Sequence, residues 1–420
     1  MHTPRNPFEH DGALVTWSDG GLAFDETILA VGNFTDIQRD YPDATVVDAR
    51  DSLILPGFVD VHVHYPQVHM IGAMGMTLLT WLKTRTLLEE ANMANDAYAR
   101  LAAHNTIQSL LANGTTTALV FGAHFASAQA ILFEEALKTG MHIVSGLVVS
   151  DQNLRPELEV SPEQAYEQSK TLIQTYHGEG LHYALQPRFS VSCSEAMLEV
   201  VGSLMQEFPD VYMQTHINEN VDEIAFVREL FPASKDYLDT YDVHGLLGPR
   251  SSFAHNIHVS DRELARYAET GSSVAHCPSS NMFIGSGIFD MKRHLAAEIP
   301  FALGSDVGGG TGYSLFKEAL MSYQGQMLHD NGYLLGPSHL LYLATQAGAD
   351  VLSIEGIGAF TAGNRADLMV VRPPAGSSLA NVLTHSPSAE ASLSAVFTLA
   401  REESVRQTYL AGKLVHEKPI

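Results

Sequence analysis

Cysteine is almost missing from this 420-residue chain: only Cys193 and Cys277 occur, far apart and in no paired spacing. That excludes a disulfide framework and a thiolate metal site, so both thiols are expected to be packing residues in a reducing compartment. Basic residues are also few. Lys and Arg number 24 against 48 Asp and Glu, a formal net charge of −24, so a phosphate backbone or an anionic membrane is repelled over most of the surface. Nucleic acid and membrane are therefore not expected as partners. No apolar run approaches the length that spans a bilayer, and residues 1–12 are polar and unlike a leader, which gives the expectation of a cytoplasmic protein. A phosphate-cradling G-x-x-x-x-G-K-[ST], a G-x-G-x-x-G opening a helix and an H-E-x-x-H are all absent.

What remains is 45% hydrophobic and 17% charged, the balance of a globular chain with a substantial core. Residues 1–55 carry short apolar segments (13–17, 27–31 and 44–47) between Gly, Asp and Asn clusters, which reads as strands and turns with few helices. From residue 56 the texture changes to short β-branched runs, each followed by an amphipathic stretch of helical length such as 194–207, 222–230 or 260–269. Eight such runs end near His64, Phe121, Val149, Phe189, His216, His255, His276 and Asp306. Eight strands alternating with helices fit an α/β fold, a (β/α)8 barrel over residues 56–363. Short-strand grammar returns in 364–420 (366–371, 391–399, 405–410 and 413–416), so both chain ends are expected to pair into a small β-sandwich domain. Residues 65–94 form a long connection after the first barrel strand, with Trp81 and several Met and Leu. Such a loop shapes a pocket, folds on its own small core, or serves an interface.

Barrel enzymes place their chemistry at the C-terminal ends of the strands. Here the run 58–63 delivers His62 and His64 on one face, because strand side chains alternate with period two. Two imidazoles on one face can grip one metal ion, although a hydrogen-bonded histidine pair explains an isolated H-x-H equally well. A second run ends in His216 with Glu219 three residues on; others end in His255 and in Asp306, with Gly308, Gly309 and Gly310 behind it. Four strands ending in metal-type or proton-transfer residues are not explained by strand capping, which would use Ser, Asn or Thr as often.

This arrangement resembles the amidohydrolase superfamily over nearly the whole chain, down to the Gly-x-x-Ala-Asp-Leu element at residues 363–368. Within it the chain is most similar to guanine deaminases, through His62-Val-His-Tyr-Pro-Gln67, Thr80-Trp-Leu82, Pro187-Arg-Phe-Ser-Val-Ser-Cys-Ser194, Thr215-His-Ile-Asn-Glu-Asn220, Ala275-His-Cys-Pro-Ser-Ser-Asn281 and Gly304-Ser-Asp-Val-Gly-Gly309. The resemblance implies that His62, His64, His216 and Asp306 bind a single Zn2+, for which Fe2+ is an alternative suited to the same ligands. It implies that His255 holds the water at the metal, and that Gln67, Arg188 and Phe189 contact a purine alongside His216, Glu219 and Asp306. A homodimer is implied as well. Many binuclear relatives carry a carbamylated lysine in barrel strand four; that strand here, Leu181-His-Tyr-Ala-Leu-Gln-Pro-Arg-Phe189, has none, so one metal is expected.

The chemistry that follows is hydrolytic deamination. A metal-activated water attacks an amino-bearing ring carbon, and protons must reach a ring nitrogen and the departing amine, since amide anion is too basic to leave. Glu219 is the candidate shuttle, Asp306 takes the proton of water, and His255 orients the nucleophile. Arg188 offers the planar fork that reads O6 and N7 of guanine in DNA grooves, and so points to an oxo-purine. Gln67 offers a donor and an acceptor to the edge near N3 or N9. Phe189 adds an aromatic face, or serves the barrel wall.

Of the 20 histidines, His104, His142, His177, His182, His258, His294 and His329 show no partner pattern and are expected at the surface or in packing. His276 is expected to order its loop, and His124 is ambiguous. His177-Gly-Glu179 matches the H-x-E of another zinc deaminase fold, but the P-C-x-x-C that completes it is missing. The competing expectations are deamination of a pterin, an s-triazine or an oxidised guanine, and a catalytically dead barrel used as a scaffold. The intact ligand set weighs against the last.

Overall fold

The computed structural model describes residues 1–178 and 180–418; Glu179, half of the H-x-E spacing, lies outside the described residues. The chain opens with a hairpin, β1 (Gly20–Phe24) and β2 (Ile28–Asn33), followed by the helix Phe34–Asp40 and the strand β3 (Leu53–Pro56). Then comes the barrel: β4 (Phe58–His64), β5 (Thr115–Phe121), β6 (His142–Ser145) with its continuation β7 (Val148–Val149), β8 (Leu181–Pro187), β9 (Tyr212–Ile217), β10 (Ser251–His255), β11 (Ser273–His276) and β12 (Phe301–Leu303). Neighbours pair in parallel in the order β4-β5-β6-β8-β9-β10-β11-β12. The N–H of Asp306 donates to the carbonyl of His62 (2.8 Å) and that of His64 to Val307 (3.0 Å), which brings the chain after β12 back against β4.

Every residue of β4 and β5 is buried, as parallel strands must be when side chains fill the barrel on one face and helices cover the other. The helices start where the sequence offers caps. Ser194 accepts from the Met197 N–H ahead of Glu195–Glu207, and Asn220 with Glu223, then Ser260 with Glu263, form capping boxes for Val221–Leu230 and Asp261–Thr270. These three helices lie within a residue or so of the expected ranges.

Both chain ends meet in a second β layer. β13 (Leu368–Val371) pairs antiparallel with β3 on one side and with β14 (Val405–Leu410) on the other, and β15 (Lys413–Glu417) forms the edge. The hairpin β1-β2 joins through Ile28, whose N–H donates to Asn364 and whose carbonyl accepts from Gly363. Ile28, Phe360, Ala366, Leu368 and Val370 form a core of their own between the two sheets.

Three expected strands are corrected. Residues 391–399 lie in the helix Ala389–Leu399, capped by Ser388, with Leu393, Val396 and Phe397 buried at helical spacing; Phe397 packs on Phe316 of the helix Leu315–Leu328 at 5.8 Å between rings. The β-branched residues suggested a strand, but the cap and the i, i+3, i+4 pattern won. Residues 44–47 form no strand, since Val46 and Val47 are exposed and no strand among the described residues pairs with them. Residues 13–17 contribute a single bridge, Val15 to His2.

Candidate active site

The residues singled out at the strand ends converge. Nε2 of His64 lies 3.1 Å from Nε2 of His62 and 3.2 Å from Nε2 of His216. Asp306 Oδ1 stands 3.3 Å from His64 Nε2 and 3.4 Å from His62 Nε2. Ligands about 2.0–2.1 Å from one ion lie roughly 3.3 Å apart; these four pairs meet that spacing, and the three imidazoles of His62, His64 and His216 lie within 4.8 Å of one another, so the cluster can hold a divalent metal. The electrostatics agree. Burial pushes His64 down to about 4 and His216 well below the ordinary histidine range, the latter helped by neighbouring His62 and His64, which favours neutral imidazoles, the form that can ligate a metal. Burial opposes the charge on Asp306, but hydrogen bonds from His62 and His64 hold its carboxyl well below the usual range. His216 Nδ1 donates to the Arg188 carbonyl at 2.6 Å, which aims its Nε2 at the other ligands.

The strand ends bend to deliver these groups. β12 stops at Leu303, three residues short of Asp306, because the chain turns: Asp306 has φ +46° and His255 has φ +75°, conformations that non-glycine residues adopt only when the surroundings impose them. Gly304 permits the approach of this chain to β4, since a Cβ there would lie 2.8 Å from Cβ of His62. A Cβ at Gly310 would meet the Ser305 carbonyl at 1.8 Å, which accords with a role for the 308–310 glycines in freeing backbone space.

Beside the ligands, His255 Nε2 is 3.5 Å from Glu219 Oε2 and 3.9 Å from Asp306 Oδ2. His255 Nδ1 is 2.9 Å from Oδ1 of Asn281, which accepts its proton and fixes the ring. Glu219 accepts the Ser286 hydroxyl at 3.1 Å, and its N–H donates to Glu223. Burial, then the charge of Asp306, push the Glu219 carboxyl up to about 8, so it can carry a proton at neutral pH.

His64, His216, Glu219, His255 and Asp306 floor a pocket whose wall includes Gln67, Arg188 and Phe189 together with Leu78, Trp81, Leu82 and Ile284. Phe189 both lines the pocket and packs in the main core. The 65–94 connection is helical over Leu78–Trp81, Leu82–Thr86 and Leu87–Ala91. It shapes the pocket, and its Leu78 and Trp81 form a small core together with Ile284, which follows the helix Pro278–Phe283.

Residues 53–415 match the Amidohydrolase family. The chain belongs to that family. It is 51% identical over 99% of its length to a probable guanine deaminase of Deinococcus radiodurans, covering 97% of that protein. It is 38% identical to the guanine deaminase of Escherichia coli over 99% of this chain and 95% of that one. The solved E. coli structure superposes with a TM-score of 0.92, covering 95% and 93% of the two chains. A guanine deaminase from C. acetobutylicum with guanine bound in its active site gives 0.87 at 28% identity, covering 94% of each chain.

Other parts of this amidohydrolase site escaped the sequence reading. Glu90, buried, joins Gln67 and Arg188, and its second oxygen lies 3.3 Å from His124 Nε2, which places the ambiguous His124. No local signal sets Glu90 apart from Glu89 in the sequence, since its place on the buried face of the helix Leu87–Ala91 is visible in the structure alone; Ser286 and Glu223 carried no signal either. β8 holds no lysine, and its Gln186 side chain bonds the Val120 carbonyl and the Gly122 N–H. His276 contacts the Ser322 hydroxyl at 3.1 Å and stacks on Phe289, away from the metal donors.

Proposed function

We propose that this amidohydrolase deaminates guanine to xanthine and ammonia, with His62, His64, His216 and Asp306 holding one Zn2+. The observation that carries the reading is one pocket with His64, His216, Asp306 and Glu219 on its floor, His62 beside them, and the Arg188 and Gln67 donors on its wall. The same two residue sets occur in a chain 51% identical to a probable guanine deaminase. A divalent ion held there supplies Lewis acidity that lowers the pKa of water to about 7.

This chain's own residues do the rest. Arg188 donates to O6 and Gln67 to the N3 or N9 edge, which turns the amine at C2 toward the floor, with Phe189 against the ring. Asp306 takes a proton from the attacking water as its oxygen bonds to C2. Glu219 delivers a proton to the ring nitrogen and relays another to the amine, so that the C2–N bond breaks to release ammonia. His255, fixed by Asn281, orients the water and supports the tetrahedral carbon. The pocket wall of Leu78, Trp81 and Leu82 excludes bulk water.

The test is turnover of purified, metal-loaded protein on guanine, followed by ammonia release and xanthine formation, beside a pterin, an s-triazine and 8-oxoguanine. Guanine is expected to give the highest kcat/KM; a better substrate in the panel displaces it. The proposal includes a homodimer and a cytoplasmic location, tested by light scattering and by cell fractionation. Among the described residues no helix is long and apolar enough to cross a membrane.

A further inference from the structure

Glu90 is 2% exposed and bonds two pocket residues from different parts of the chain. Its Oε1 accepts from Gln67 Nε2 at 2.9 Å, and its Oε2 accepts from the Arg188 guanidinium at 2.6 Å. Gln67 is held from its other end too, because its Oε1 accepts the Gly308 N–H at 3.0 Å. The amide therefore cannot flip. Flipping would set two donors against each other at Gly308 and two acceptors against each other at Glu90. One hydrogen of Gln67 Nε2 is left over. Among the described residues, Arg188 makes one side-chain ion pair, with Glu90, so its remaining N–H groups are free to meet a ligand in the pocket that it lines.

Charge follows the same pattern. The ionisable groups facing Arg188 are Glu90, His124, His64 and His216, of which Glu90 is the anion. Burial opposes the charge on Glu90, but Arg188 and His124 hold its carboxyl well below the ordinary range, and burial lowers His124. The buried pair is thus neutral as a unit, as buried charges must be.

We infer that Glu90 is a positioning residue that fixes Gln67 and Arg188 as one donor edge and cancels the charge of Arg188, so that the pocket takes a neutral oxo-heterocycle in preference to its anion. This rests on the substrate class proposed above. An anion set against this edge would lose its hydration and meet a cation already paired, with the Glu90 carboxylate hydrogen-bonded to both donors. Hydrolysis of an amino-heterocycle replaces an amine by a carbonyl and makes the ring N–H more acidic. Discrimination against the anion therefore favours substrate over ionised product and speeds release.

The test is calorimetric binding of xanthine and of hypoxanthine to the metal-loaded protein, at pH values below and above the first ionisation of xanthine. Taking the ratio of the two affinities cancels titrations of the protein that affect both ligands. In the wild-type protein the ratio is expected to fall as xanthine ionises; in Glu90→Gln the fall should vanish or reverse, a shift of about tenfold or more, since ~1.4 kcal/mol is a factor of ten. A wild-type ratio that rises across the ionisation overturns the inference, and that arm needs no variant. So does a folded Glu90→Gln that weakens both ligands equally, which is what a purely structural role would produce. Because binding is read without turnover, absence of guanine deamination would sink the proposed function while leaving this comparison decisive for Glu90.

Discussion

Glu219 and His255, carried just beyond β9 and at the end of β10, face each other with Oε2 and Nε2 3.5 Å apart. Asn281 accepts the proton of His255 Nδ1 and so turns Nε2 toward the carboxyl. Burial and Asp306 push Glu219 up to about 8, so it can carry a proton at neutral pH, as the relay proposed for it requires.

Glu219→Gln keeps the size and the hydrogen bond from Ser286 but cannot relay a proton. A positioned acid/base contributes ~10²–10⁴-fold, and kcat on guanine is expected to fall by that order while metal content and melting temperature stay near wild type. Steady-state kinetics with metal quantitation check this. Near-normal kcat would remove Glu219 from the proton path.

Asn281→Ala frees the His255 ring. Orienting partners of this kind are worth about 10–100-fold, so kcat/KM should drop within that range with the metal still bound. Asn281→Asp, which keeps an acceptor at Nδ1, should recover part of the loss. If the two variants behave alike, the Asn281 contact does not orient His255.

The sequence showed the strand-end residues because a barrel puts chemistry at regular places, and period two turned His62 and His64 to one side. It could not show Glu90. Its contact with Arg188 spans 98 residues, and nothing local distinguishes it from Glu89 except the buried face of a helix interrupted by the wider turn Leu82–Thr86. The helix Ala389–Leu399 was misread because β-branched and small residues fit a strand until their burial against Phe316 is known. The barrel's closure through Asp306, His62, His64 and Val307 lies equally outside any local pattern, since it joins residues more than 200 apart.

Chelation should abolish activity, and restoring Zn2+ should return it with one equivalent per chain, since the two candidate donor groups share His62 and β8 offers no lysine to bridge a second ion. The ion binds the folded protein, so at a free concentration a hundredfold above Kd it adds ~2.7 kcal/mol of stability. The metal-free protein is expected to melt several degrees lower. His216→Ala should lose both metal and the stabilisation. Full activity in the presence of a strong chelator, with no metal left in the protein, would exclude the proposed mechanism.

Glu318 gives a pH dependence of known sign. It is fully buried on the helix Leu315–Leu328; one oxygen accepts the Ser279 N–H at 3.0 Å and the other has no partner among the described residues. Burial pushes its carboxyl up to about 8 from an ordinary 4.5. Between those values the folded chain holds a proton that the unfolded chain has released, so stability is fully present below pH 4.5 and is lost as pH rises through 8. Each pKa unit is worth ~1.4 kcal/mol, so the loss amounts to a few kcal/mol. Glu318→Gln can still accept from Ser279 but cannot ionise. With metal loaded throughout, urea denaturation from pH 5 to pH 9 should therefore give a flatter stability profile for the variant, with its advantage largest at the alkaline end. Parallel profiles would mean that Glu318 stays in one protonation state across the range.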